Sequence, residues 1–334
     1  MQGFLCERYG PYRDMRFGEL PPPTLRPGCV RIAVHYATAG FGQTLVIAGR
    51  YQRKPPLPFV PGTEVSGVVM EVAPDVVGFS PGDRVAAALD WGGFATEAVA
   101  TAATTWHVPD GVDLATAATV PLTYGTAYAA LHWRARLQAG ETLLVYGAAG
   151  GVGLPAVEVA RLAGAEIVAV AGSPDRVRIA MDHGAAHGIV HSQGEAMSRQ
   201  VMGALGGRRV DVVFDTVGGE LFDEALRCVQ PEGRVLVVGF AGGTIPQIPA
   251  NILLIKNIDV IGFNFGLYVG WTPLDERERF RDRMRVLMDT LFAHVVAGEL
   301  KPTSSVVYPL PQLADAFDAV IERRAVGRAL VSMV

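Results

Sequence analysis

The sequence predicts an α/β protein in two parts: a β-rich module at the N-terminus, and a domain built on a parallel sheet with helices on both faces. Three observations carry that expectation. Residues 1–120 break into short apolar or alternating runs punctuated by proline and glycine turns. From about Ala127 onward, short valine-rich runs alternate with helix-length segments. One of the run-to-helix junctions is a glycine-rich loop, Gly147-Ala148-Ala149-Gly150-Gly151-Val152-Gly153. With 334 residues, half of them hydrophobic and 19% charged, the chain is long enough for two domains and is not disordered.

In the first module, residues 29–36 (CVRIAVHY), 65–72 (VSGVVMEV), 83–88 and 94–99 read as strands. Pro21-Pro22-Pro23, Pro27-Gly28, Pro61-Gly62 and Pro81-Gly82 supply the turns between them. The alanine-rich segment 115–130 is helical, with Pro121-Leu122-Thr123-Tyr124-Gly125-Thr126 at the junction of two helices. Strands follow at Thr142–Tyr146, Glu166–Ala171, Val210–Asp215 and 234–239, with helices at 151–163, 173–183 and Glu220–Cys228 between them. Strands that are apolar on both faces and alternate with helices belong to a parallel sheet covered on both sides. Residues 259–263 add one more strand. The tail holds a long amphipathic helix at 276–297, a strand at Ser304–Pro309, a helix at 314–323 and a closing strand at 329–333. The expected division is 1–122 with 266–334, and 123–265. Arg277, Arg279, Arg281, Arg283 and Arg285 alternate with Glu276, Glu278 and Asp282, which reads as a solvated helix face.

The glycine loop carries the first functional expectation. Gly147, Gly150 and Gly153 are spaced G-x-x-G-x-x-G, one residue different from the commonest dinucleotide fingerprint. A strand must turn sharply, the backbone must approach a diphosphate, and the helix must pack close to the strand. Each demand excludes a Cβ. The helix N-terminus then offers free N–H groups and a positive dipole end to an anion. The loop is expected to hold the pyrophosphate of a nicotinamide dinucleotide. The end of the next strand selects between NAD and NADP: a carboxylate there would bind the ribose 2′-hydroxyl and repel a 2′-phosphate. Here the strand ends Ala171-Gly172-Ser173, with Arg176 one helical step on, so NADPH is the expected cofactor. Asp175 falls at the start of the following helix, where it complements the dipole.

Several classes are excluded. The net charge of −4 gives no drive toward nucleic acid or an anionic membrane surface. The longest uncharged apolar stretch, 142–157, is too short and too rich in glycine to span a bilayer. Residues 1–10 carry no basic-then-apolar signal pattern, and three scattered cysteines (Cys6, Cys29 and Cys228) suit a reducing cytoplasm. No C-x-x-C pair exists. His183, His187 and His191 step by four, but Gly184 and Gly188 interrupt any helix through them, so no metal site is expected.

The motif set, taken in order, is specific. It comprises Gly49-Arg50-Tyr51, Leu57-Pro58-Phe59-Val60-Pro61-Gly62-Thr63-Glu64-Val65-Ser66-Gly67-Val68-Val69, Pro81-Gly82-Asp83-Arg84-Val85 and Thr123-Tyr124-Gly125-Thr126-Ala127. It continues with the 147–153 loop, Phe214-Asp215-Thr216-Val217-Gly218-Gly219 and Pro231-Glu232-Gly233-Arg234. Through nearly its whole length the chain resembles the zinc-free quinone oxidoreductase (ζ-crystallin-like) branch of the medium-chain dehydrogenase/reductase superfamily. The zinc enzymes of that superfamily carry histidine where this chain has Thr63, and a cysteine-rich lobe that is missing here.

The resemblance implies a GroES-like domain plus a Rossmann domain, with the cofactor in the cleft between them. It also implies NADPH-dependent reduction of quinones or other α,β-unsaturated carbonyls, and a homodimer. It assigns Gly150, Gly151 and Val152 to the pyrophosphate, Ser173 and Arg176 to the 2′-phosphate, and Thr126 to the nicotinamide. Phe240 and Phe263 to Phe265 lie in segments that wall the nicotinamide side, Arg323 resembles a late arginine that reaches the cofactor, and Tyr51 stands at the substrate mouth. Three departures matter. Gly40 stands where the family often has asparagine and Gln43 where it often has aspartate, so fewer polar side chains are expected near the nicotinamide. His191 replaces a tyrosine beside the 2′-phosphate, where a histidine can stack or, when protonated, pair with it.

Quinone reduction asks for hydride from nicotinamide C4, orientation and a water-poor cleft. An enone or enoyl thioester also needs a proton at the α-carbon. Tyr51 and Tyr124 are the candidates to deliver it, and amphipathic packing is the competing role for both. An enoyl-thioester reductase is the nearest alternative, with Arg50, Arg53 and Lys54 either contacting CoA phosphates or forming a solvated loop. A non-catalytic, crystallin-like NADPH-binding protein is the alternative of another class.

Overall fold

The computed structural model describes residues 1–191 and 195–334. The chain forms two compact units, residues 1–125 with 266–334, and residues 126–265.

The first unit contains β1 (Gln2–Leu5), β2 (Arg16–Glu19), β3 (Cys29–Ala39), α1 (Phe41–Ile47), β4 (Glu64–Val72), β5 (Arg84–Ala88), β6 (Glu97–Thr101), β7 (Thr105–His107) and α2 (Leu114–Ala117). The second contains α3 (Gly125–Tyr128, which starts one residue before it), β8 (Thr142–Tyr146), α4 (Gly153–Leu162), β9 (Glu166–Ala171), α5 (Pro174–Asp182) and β10 (His187–Val190). It continues through α6 (Met197–Ala204), β11 (Val210–Asp215), α7 (Glu220–Cys228), β12 (Val229–Val237), α8 (Ala250–Lys256) and β13 (Asp259–Gly262). The chain then rejoins the first unit with α9 (Arg277–Val296), β14 (Ser304–Pro309), α10 (Leu313–Ile321) and β15 (Arg328–Ser332).

The main sheet of the first unit runs β14-β15-β3-β4-β5-β7, with β6 also on β3. Its long strand β3 switches partner along its length: Cys29–Ala33 pair with β6, and Tyr36–Ala39 pair antiparallel with β15. Register shifts at Arg31/Ile32 and Val34/Tyr36 bend it between the two. Val30, Ile32, Val34, Val65, Val85, Phe94 and Phe317 fill the core, with the last two rings edge-on at 5.7 Å. The second unit is a six-stranded, wholly parallel sheet in the order β10-β9-β8-β11-β12-β13. Its central strand β8 is buried along its whole length, as its apolar run suggests. Winding runs outward one way from β8 and the other way from β11, so the loops after these two strands diverge at a topological switch point.

Several sequence expectations change. Helix α2 ends at Ala117, two turn residues follow, and residues 120–135 form one helical run with wide, π-type turns at Val120–Tyr124 and Ala129–Ala135, so the junction lies just before Pro121 and not at Thr126. Pro121 lies in the first of these turns, where its missing N–H matters least. The strand expected at 234–239 begins earlier, at Val229, because Glu232 takes a positive φ of 65° and carries the chain through the Pro231-Glu232-Gly233 turn without ending the pairing. Arg277 does not belong to the solvated face of α9. It is 8% exposed and bonds Asp90 and Asp275, whereas Arg279, Arg281 and Arg285 pair along the helix with Glu276, Glu278 and Asp282.

Candidate functional site

The loop after β8 is held by its own backbone. Gly150 N–H donates to Gly147 O (2.8 Å), Leu154 N–H to Gly150 O (3.0 Å), and Ala148 N–H to Val170 O of β9 (3.0 Å). Gly147 has φ +67°, and a Cβ on Gly153 would stand 2.8 Å from Gly147 C and 3.0 Å from Ala148 Cα. Both obstacles are backbone, so the helix can start this close to the strand only with glycine there. Among the described residues, the N–H groups of Gly151, Val152 and Gly153 have no acceptor. They open the ten-residue helix α4, where the dipole adds partial positive charge.

The loop after β9 meets it. Ser173 caps α5, its Oγ accepting from Arg176 N–H at 3.4 Å. The Arg176 guanidinium donates through Nη2 to Ala149 O (3.3 Å), tying this turn to the glycine loop. Among the described residues, its chain neighbours aside, nothing lies within 4 Å of where a Gly172 Cβ would stand. Asp175 is exposed and pairs with Arg178 at 3.1 Å. His191 N–H donates to Ala171 O (2.8 Å), which brings it to the same edge.

Across the switch point, Thr216 Oγ1 donates to Tyr146 O (3.0 Å). Asp215 accepts from Val217 N–H (2.8 Å) and Gly218 N–H (2.9 Å) on Oδ1, while Oδ2 is buried and, among the described residues, has no partner. Burial pushes this carboxyl above the usual range, against those two hydrogen bonds. Ala241 N–H to Thr216 O (3.0 Å) and Gly242 N–H to Val217 O (2.9 Å) lay the loop carrying Phe240 over Gly218. Phe263 and Phe265 are buried just past β13, with Phe263 N–H on Val237 O (3.0 Å). The glycine loop, Gly172, Ser173, Arg176, His191, Phe240, Phe263 and Phe265 thus gather at the C-terminal edge of one parallel sheet. Half-buried Thr126 opens the same unit.

The remaining sequence candidates belong to the first unit. Tyr124 is buried in the helical run, and Arg323 is exposed past α10 with φ +58°. Tyr51 is half-buried, with its ring over the first turn of α1 near Gly42. Burial pushes its phenol pKa up and the Arg53 charge opposes this, so the group stays protonated at neutral pH.

Gln43 caps α1 on Gly40 N–H (Oε1, 3.0 Å) and donates through Nε2 to Thr63 Oγ1 (3.0 Å). Glu64 beside it is fully buried. It accepts from Leu122 N–H (2.6 Å), Thr38 Oγ1 (2.6 Å) and Arg328 Nη2 (3.0 Å). An amide, a hydroxyl and a carboxylate already neutralised by arginine do not make a zinc donor set. Among the described residues no cluster of three histidine, cysteine, aspartate or glutamate groups exists. His183 ends α5 on Glu158 (2.6 Å) and His187 lies in β10 on Glu166 (2.9 Å), so the four-residue stepping does not converge.

Arg328 is the functional-region residue that sequence reasoning missed. A Cβ on Gly40 would meet its guanidinium, with Cζ at 3.2 Å, so the polar group that position 40 lacks is replaced by one from β15. That guanidinium is spent on Thr38 Oγ1 (2.9 Å) and Glu64 Oε2 (3.0 Å). The available signal was a single cation opening an otherwise apolar closing strand.

A parallel sheet with a glycine loop at its switch point, joined to a β-rich unit to which the C-terminus returns, defines a medium-chain dehydrogenase/reductase. Residues 26–110 match the alcohol dehydrogenase GroES-like domain, and residues 151–285 match the zinc-binding dehydrogenase family. Quinone oxidoreductase-like protein 2 of Rattus norvegicus is 39% identical over 94% of this chain and 88% of its own length. The quinone oxidoreductase of Homo sapiens is 31% identical, over 87% and 85%. A mycobacterial structure in complex with NADPH superposes with a TM-score of 0.90 at 25% identity, covering 99% of this chain and all of that one. The chain belongs to the zinc-free quinone oxidoreductase branch of the medium-chain dehydrogenases/reductases, and it is an oxidoreductase. The zinc-binding match covers none of residues 38–64, where the donor set fails. Among the described residues no helix is long and apolar enough to cross a membrane.

Proposed function

We propose that the protein reduces quinones or other α,β-unsaturated carbonyls with NADPH, without a metal. The observation that carries the cofactor choice is the end of β9, where Gly172-Ser173 stand in place of the carboxylate of an NAD enzyme and Arg176, in the first turn of α5, is bonded back to Ala149 O at 3.3 Å. Bound NADPH supplies the hydride from C4 of its nicotinamide. The N–H groups of Gly151, Val152 and Gly153 receive the pyrophosphate, with Gly147, Gly150 and Gly172 keeping the two turns free of side chains. Ser173 donates its hydroxyl to the 2′-phosphate, and Arg176 and His191 flank it. Phe240, Phe263 and Phe265 exclude water from the nicotinamide side, with Thr126 and Arg323 as further contacts. The protonated phenol of Tyr51 donates a hydrogen bond to the substrate oxygen. Tyr124 is too buried to lead as a donor.

The enoyl-thioester alternative loses ground because Arg53, one of its three candidate phosphate contacts, spends both terminal nitrogens on Asp90. A homodimer is supported by β13 at the sheet edge, flanked by Leu254 (78% exposed) and Ile255 (72%) of α8. The test is NADPH oxidation with 9,10-phenanthrenequinone, 1,4-benzoquinone, a 2-alkenal and acryloyl-CoA, each with and without EDTA. Quinone or enone turnover insensitive to EDTA is expected. NADPH binding with no acceptor turned over refutes the enzymatic reading, and turnover of acryloyl-CoA alone selects the thioester one.

A further inference from the structure

We infer that Arg53 is a positioning residue for Tyr51, and that it sets the fit of the quinone by fixing the loop that carries that tyrosine. The inference rests on the assignment of Tyr51 to the substrate site. Of the three cations in residues 50–54, Arg50 and Lys54 are exposed and Arg53 is not. Its guanidinium lies 5.2 Å from the Trp91 ring centroid and 5.9 Å from that of Trp271. Nη1 donates to Asp90 O (3.1 Å) and Nη2 to Asp90 Oδ1 (2.7 Å). The same Oδ1 accepts from Arg277 Nη2 (2.8 Å), whose Nε is held by Asp275 (2.8 Å). Trp271 Nε1 donates to Leu89 O (3.1 Å). Three segments distant in sequence, around residues 53, 90 and 271–277, therefore meet at one guanidinium, with two carboxylates facing two arginines.

Tyr51 depends on this knot. Among the described residues its hydroxyl has no hydrogen-bond partner. Its backbone is fixed on one side by Arg50 N–H to Leu45 O (2.8 Å) and on the other, two residues on, by Arg53. Arginine is required for the second anchor because it supplies a flat face for two indoles and a fork for Asp90 at once. Lysine is a point charge that can satisfy only part of that set. A loose loop leaves the phenol displaced, and a displacement of about 1 Å at a reacting group can lower a rate by about a hundredfold. Here the displaced group hydrogen-bonds the acceptor oxygen in the bound ground state as well as during hydride transfer, so the effect falls on binding of the acceptor.

The test compares the wild type, Arg53→Lys, Tyr51→Phe and the double variant with 9,10-phenanthrenequinone. Arg53→Lys should raise the quinone KM about tenfold, with kcat and the NADPH dissociation constant within about twofold. In the Tyr51→Phe background the same change should add less than about twofold, because the group it positions is already gone. Independent, multiplying losses overturn the inference, as does a lowered melting temperature with unchanged KM. A second readout needs no turnover. Trypsin cleavage after exposed Arg50, followed by mass spectrometry, should be several-fold faster in Arg53→Lys, and an equal rate overturns the anchoring. A wild type that turns over no quinone counts against the proposed function, and the proteolysis result then decides the inference alone.

Discussion

Arg176→Ala separates the two jobs given to this side chain. Its Nη2 bond to Ala149 O steadies the glycine loop for any dinucleotide. A hydrogen bond of this partly exposed kind contributes about 0.5–1 kcal/mol, so its loss weakens NADPH and NADH alike by about two- to fivefold. A charge-assisted arginine–phosphate bond is stronger, about 1.5–3 kcal/mol, and half-exposure favours the lower part of that range. The variant should therefore lose NADPH affinity by a further factor of about 10–30 that NADH does not share. Titrating each cofactor by its own fluorescence gives both dissociation constants. Repeating the titrations at about 50 and 200 mM salt should shrink the NADPH-specific part, because an exposed pair is screened. Equal losses for the two cofactors would refute the phosphate role, and no loss for either would refute the loop tie as well.

Two further outcomes follow from groups in the nucleotide unit whose titration the fold shifts. Burial alone would raise the Glu141 carboxyl, but the forked bond from Arg234 (2.9 and 2.6 Å) and the Gln138 N–H outweigh it and hold it below the ordinary range. A depressed carboxyl stabilises the fold above its unfolded pKa and loses that contribution as pH falls through its folded pKa. Glu141→Gln should thus cost about 2 kcal/mol near pH 7 in urea unfolding, and the gap to wild type should close toward pH 3; a gap independent of pH would contradict the pairing. Burial pushes the Cys228 thiol up to about 12, so only roughly one part in 10⁴ is thiolate at pH 8. Together with buried Cys6 and Cys29, it should resist a disulfide reagent in the native protein and react fully in urea; prompt native labelling would refute the burial.

Much of the nucleotide unit was legible because its strands announce themselves. Thr142–Tyr146, Glu166–Ala171 and Val210–Asp215 are short, mostly apolar runs, and the structure starts and ends them at those residues. The four-residue strand His187–Val190 was not legible, since half of it is His-Gly and its pairing with β9 comes from the sheet and not from its own pattern. Helix α1 was missed for a similar reason. Phe41-Gly42-Gln43 shows no apolar period, and the helix forms because Gln43 caps it. The site divides the same way. Contiguous residues such as the glycine loop and Gly172-Ser173 could be read from the sequence. Glu64 with Arg328, and Arg53 with Trp91 and Trp271, are joined across up to 264 positions by folding alone. Arg53 in particular reads in sequence as one of three loop cations.

The contact between Gly40 and Arg328 constrains how this chain can change. Adding a side chain at position 40 first drives it into the guanidinium. Shortening Arg328 first strands Glu64, fully buried, without its cation. The guanidinium is the far end of a flexible side chain, so it is what gives way to a residue at position 40, and the two positions are coupled through Glu64. A side chain at position 40 thus acts at a distance, on how well the buried Glu64 keeps its cation.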